Sequence, residues 1–131
     1  MSRKTKTDLS FEISFFESVL RREPRDCAVI GILGDMYTKS GRVTDGLKMD
    51  RKLVRMRPDD AVAHYNLACS LSLAGKHTHA LKTLAQAISL GYDDAEWMAG
   101  DPDLTSLKSH AAFKTLLRLA KKNRRRGSKA A

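Results

Sequence analysis

The chain has 131 residues, with 24 Lys+Arg against 15 Asp+Glu and a formal charge of +9. The whole excess lies at the ends: Arg3, Lys4 and Lys6 in residues 1–7, and Lys121, Lys122, Arg124, Arg125, Arg126 and Lys129 in residues 121–131, while residues 8–120 balance. An apolar content of 42% argues against a disordered chain, no run of about 18 apolar residues exists to span a membrane, and two cysteines, Cys27 and Cys69, are too few for a disulfide scaffold.

The N-terminus leads into no apolar stretch free of charge, so no secretory signal is expected and the cytoplasm is the default compartment. Residues 1–7 read as a basic disordered segment. Residues 8–26 read as half a repeat whose first helix is missing. Two blocks of equal length follow, 27–60 and 61–94, each 34 residues long. Leu33 falls over Leu67, Gly34 over Ala68, Gly41 over Gly75, Gly46 over Ala80 and Leu47 over Leu81. Within each block the apolar residues recur at three- and four-residue steps, the helical period. Gly41 and Gly75 stop a first helix and allow the chain to reverse. The Asp pairs 59–60 and 93–94 can cap the helix that follows. Each block is thus an antiparallel helix pair, and such pairs must stack to cover their apolar faces.

Small residues at Gly34 and Ala68, opposite Gly46 and Ala80, allow close backbone approach while Leu and Tyr fill the flanking positions. That pattern resembles the tetratricopeptide repeat through Ile30, Leu33, Gly34, Tyr37, Gly46, Leu53 and Pro58, then through Leu67, Ala68, Leu71, Ala80, Leu84 and Ala87. It departs from the family at Asp50, where a large ring is usual, at His64 in place of Trp, and at Tyr92 in place of Pro. The fold expected is all-α, an α-solenoid of antiparallel helix pairs (a tetratricopeptide-like superhelix) closed by a C-terminal capping helix. The domain would run over 8–120, with 95–120 as the capping segment and 121–131 as a basic tail. In the cap, Asp101-Pro102 is a good helix start, and Trp97 is expected as a core anchor. Ser109 is expected to cap a last helix over 110–122 with Phe113, Leu116, Leu117 and Ala120 inward, the chain fraying beyond about residue 122.

Catalytic and metal constellations are not evident. His77 and His79 point to different sides of a helix start, and His64 reads as a packed core residue. The acidic stretch Asp93, Asp94, Glu96, Asp101 and Asp103 is explained mainly by capping. Cys69 lacks an activating neighbour. No enzyme activity and no cofactor are expected.

The resemblance implies that first helices line a concave face and that a partner peptide meets Ala28, Gly31, Ile32, Asp35, Thr38 and Lys39 in one repeat, and Val62, Tyr65, Asn66, Cys69, Ser72 and Leu73 in the next. Gly31 and Asp35 stand where the family's carboxylate clamps carry Lys and Asn, so a terminal carboxylate is not the expected ligand. Tyr65 and Asn66 are the leading contacts: the ring supplies area and the amide can bond a peptide edge. Lys48, Lys52 and Arg55 share one face of the second helix of repeat one, which reads as solvated. The expected function is a non-enzymatic scaffold that docks a peptide or helix of a protein partner, as a monomer or weak homodimer. One alternative is non-specific nucleic-acid contact through Arg124, Arg125 and Arg126 of the tail. Another is a chaperone-like hold on a secreted substrate.

Overall fold

The computed structural model describes residues 6–130, with side chains described over 9–127. The expected disordered segment 1–7 lies outside that range except for Lys6 and Thr7, which open the first helix. The helices are α1 (Lys6–Arg22), α2 (Cys27–Lys39), α3 (Val43–Met56), α4 (Ala61–Leu73), α5 (His77–Ser89), α6 (Ala95–Gly100), a 3₁₀ helix (Pro102–Leu107) and α7 (Ala111–Ala130). There is no strand among the described residues, and no helix among them is long and apolar enough to cross a membrane. The chain forms two compact units, the first ending at Met56 and the second beginning at Arg57.

The 34-residue period is written in the helix ends. Asp26, Asp60 and Asp94 each cap a helix, their side chains accepting from the N–H groups of Val29, of Val62 and Ala63, and of Trp97. An aspartate there satisfies donors that the first turn leaves without a partner. At the other ends, Gly41 and Gly75 turn the chain at φ of 88° and 78°, a region that a side chain disfavours. The N–H groups that follow, of Arg42 and Lys76, reach back to the carbonyls of Tyr37 and Leu71, closing the same C-terminal cap twice.

In the first unit, α1 covers one side of α2. Ile13, Val29, Leu33 and Tyr37 are buried together, with Leu9, Phe16, Val19 and Leu20 packed around them. The Tyr37 hydroxyl donates to Glu17 at 2.6 Å, and the Arg42 guanidinium lies 4.5 Å over the Tyr37 ring. Helices α2 and α3 meet where both carry glycine. A Cβ at Gly46 would strike the Thr38 hydroxyl and lie 3.0 Å from the Gly34 carbonyl oxygen. A Cβ at Gly34 would lie 2.7 Å from the Asp50 carboxylate. The bulk usual at position 50 is therefore replaced by a buried acid seated against a glycine.

In the second unit, α4 pairs with α5, and α7 packs on α5 and α6. Leu71, Leu84, Met98, Leu104, Leu107 and Phe113 are fully enclosed. His64 is buried as expected, its Nε2 2.8 Å from the Pro58 carbonyl oxygen. Trp97 is not a core anchor. It is 54% exposed, because its neighbours Ala95 and Met98 take the inward positions of α6. The last helix also differs from expectation, starting at Ala111 and running to Ala130. Lys and Arg are good helix formers, and Asn123 ties the helix down one turn past Ala120 by donating to the carbonyls of Ile88 (2.8 Å) and Tyr92 (3.0 Å).

The glycine contact sets a stability test. Gly46→Val should destabilise the protein by about 2 kcal/mol in urea unfolding, since overpacking a closed helix contact forces the backbones apart. Gly100→Ala, whose Cβ would meet nothing within 4 Å, should change stability little.

Candidate binding faces

The face of α4 expected to meet a partner is already engaged. Tyr65 Oη donates to Asp101 Oδ2 at 2.7 Å, and Cys69 Sγ lies 3.6 Å from the same oxygen. Asp101 Oδ1 accepts from the Asp103 N–H at 3.0 Å, so one carboxylate caps the 3₁₀ helix and binds α4 together. One turn on, the hydroxyls of Ser72 and Ser106 are 3.0 Å apart. The Tyr65 ring stacks on Tyr92 with centroids 4.2 Å apart and planes 6° from parallel. Tyr65, Cys69, Ser72 and Asp101 are all at most 7% exposed.

Three of the six residues expected to contact a partner on α4 thus contact the chain's own capping segment instead. Cys69, expected in an open groove, is covered because Asp101 sits on it. Asn66 remains exposed, with Val62 (57% exposed) one turn before it. The Asp-Pro pair signals the capping role of Asp101, but nothing local marks its bonds to Tyr65 and Cys69, which lie 36 and 32 residues away.

Burial dominates the chemistry of this cluster. It pushes the Tyr65 phenol far above its ordinary range, and the hydrogen bond to Asp101 adds to the effect. Burial, and then the Asp101 charge, likewise raise the Cys69 thiol. Tyr92 is pushed up to about 12, chiefly by burial, although its contact with Tyr65 works the other way. Cys69, Asp101 and Asp103 bring ligand atoms within 4.8 Å of one another. Both Asp101 oxygens of this cluster accept hydrogen bonds from the chain's own donors.

The equivalent face of α2 is arranged differently. A step of 34 residues maps Asn66 onto Ile32, Cys69 onto Asp35 and Leu73 onto Lys39. Ile32 is 38% exposed, and Asp35 and Lys39 are exposed and paired with each other at 2.8 Å. An exposed i,i+4 pair of this kind contributes at most about 0.5 kcal/mol. On α1, Phe11 and Phe15 lie one turn apart and are 78% and 56% exposed.

The basic residues of the C-terminus also part company. Arg124 pairs with Asp93 at 3.5 Å, while Arg125 and Arg126 are exposed on the same helix. Lys114 and Arg118, one and two turns into α7, are exposed as well. Exposed cations on this helix therefore extend well before the tail, where the sequence alone points for anion contacts.

No protein-family model matches the chain. Over 88 residues it is 30% identical to a chloroplastic protein of Arabidopsis thaliana, a match covering 65% of this chain and 26% of that protein. Over 79 residues it is 33% identical to Superkiller protein 3 of Saccharomyces cerevisiae, covering 60% of this chain and 6% of that one. The Schizosaccharomyces pombe protein of the same name is 31% identical over 78 residues. The chain therefore spans about a quarter of the length of the first relative and a small fraction of the other two. In structure it is similar to MamA, a tetratricopeptide-like protein, with a TM-score of 0.72 at 18% identity, covering 94% of this chain and 76% of that one.

The raised phenols give a pH test. Tyr37 is also pushed up to about 12, by burial first and then by its bond to Glu17, so all three tyrosines keep their protons longer in the folded state. The stability they contribute is fully present below pH 10 and declines as pH rises past it, because the unfolded chain ionises first. Phenolate absorbance at 295 nm should stay low near pH 10–11 in the native protein and appear at once in denaturant. Tyr65→Phe should cost about 1–3 kcal/mol in unfolding at neutral pH by leaving Asp101 one donor short.

Proposed function

We propose that this chain, which has the tetratricopeptide-repeat fold, is a non-enzymatic protein-interaction module that docks a peptide or helix of another protein on the open face of α2. The observation that carries this reading is the contrast between equivalent faces. The α4 face holds a short segment of its own chain, using Tyr65, Cys69 and Ser72 as partners to Asp101 and Ser106. The α2 face, one repeat earlier, leaves Ile32, Asp35 and Lys39 exposed. A face of this kind suits a short segment with an apolar anchor for Ile32 and a charge to exchange into the Asp35–Lys39 pair.

The exposed Phe11 and Phe15 support a protein rather than a small-molecule partner. Large apolar groups clustered at a surface mark interaction sites, and aromatic rings supply most of the energy where they become buried. Asn66 and Val62 keep a secondary role as contacts beside the covered part of α4.

A photoreactive residue at Ile32, followed by mass spectrometry of the trapped species, identifies the partner. Ile32→Asp should then weaken its binding by tenfold or more, equivalent to about 1.4 kcal/mol. Unchanged affinity in that variant would remove α2 as the docking face.

A further inference from the structure

We infer that the outward face of α7 docks the phosphate backbone of double-helical nucleic acid without reading its sequence. The helix carries eight Lys or Arg and no acidic residue from Ala111 to Ala130. Its rotation is fixed: Phe113, Leu116 and Ala120 are buried, and Asn123 holds two backbone carbonyls on the same side. At 100° per residue, this sets Lys114, Arg118, Lys122 and Arg125 in a row on the opposite side, and all four are exposed. Arg118, Lys122 and Arg125 line a shallow depression of about 300 Å³ together with Thr115 and Leu119. Arg124 is set apart by its pairing with Asp93. Asp93, Asp94 and Glu96 line a depression with Lys121, Arg124 and Arg125, so the acids reach the row only at its Arg125 end.

Charge and shape select the partner. The row is about 16 Å long at 1.5 Å per residue, equal to the axial rise of about five nucleotides of a duplex. An anionic membrane would be gripped by insertion of an apolar face, but that face of α7 is buried inside the second unit. An acidic protein would need anchors to bury, and the row offers only Leu119, 41% exposed. Single strands are held by stacking on aromatic rings, which α7 lacks outside the buried Phe113. Phosphates in a duplex need only cations at regular intervals, and Arg adds forked hydrogen bonds. This surface is independent of the α2 face, so either reading can fail without the other.

The test is fluorescence anisotropy of the full chain with a fluorescein-labelled random-sequence duplex of about 20 base pairs, titrated across NaCl concentrations. Four engaged cations predict a slope of log K against log salt of about −3.6. Changing Lys114, Arg118, Lys122 and Arg125 together to Gln should cut affinity by tenfold or more at low salt and flatten the slope, with unchanged helical circular dichroism. Lys114→Arg with Lys122→Arg should retain binding. Three results would overturn the inference: no binding at low salt, binding that survives the four-site change but is lost with Arg3→Gln, Lys4→Gln and Lys6→Gln, or tighter capture of polyglutamate or phosphatidylserine vesicles than of duplex.

Discussion

The Asp101 carboxylate is the contact around which the second unit is organised. It is 3% exposed, and a charged group so placed is tolerated only when hydrogen bonds replace its water. Tyr65, Cys69 and the Asp103 N–H supply those bonds. One group thereby starts the 3₁₀ helix, fastens it to α4, and sets the level at which Tyr65 stacks on Tyr92. The Ser72–Ser106 contact extends the same seam by a turn. Removing the acid would leave the Tyr65 hydroxyl and the Cys69 thiol without their acceptor.

That seam also decides which surfaces are available. A helix pair cannot enclose its own apolar side, and this chain meets the requirement with pieces of different kinds. In the first unit α1 lies on α2 and leaves the Ile32 side open. In the second, the 3₁₀ helix takes the corresponding side of α4, while α7 seals the apolar surface of α5 and α6 and turns its charges outward. The two exposed surfaces differ accordingly in chemistry: one mixed and partly apolar, the other almost purely cationic.

What is legible in the sequence is local. The caps at Asp26, Asp60 and Asp94 and the turns at Gly41 and Gly75 depend on a few neighbouring residues, and the 34-residue period makes them stand out. The close contact of Gly34 with Gly46 is readable for the same reason, since both lie on facing helices joined by a short turn. Trp97 is misplaced by sequence because Ala-Glu-Trp-Met offers two large apolar side chains on a six-residue helix, and only the surrounding core decides that Met98 turns inward. The cover over Tyr65, Cys69 and Ser72 is invisible because its partners come from more than thirty residues away and present ordinary capping residues. The cationic row of α7 is hidden when its last turns are read as a fraying tail, which separates Lys122 and Arg125 from Lys114 and Arg118.

The closed seam over α4 is the claim on which the assignment of open and covered faces depends. Its most direct test is the reactivity of Cys69 in a Cys27→Ser protein, where it is the lone thiol. A covered thiol whose proton is held by burial should react with a disulfide reagent about a hundredfold or more slowly in the native state than in denaturant. Native and denatured rates of the same order would mean that Asp101 does not hold the segment closed, and that the α4 face is open to partners after all.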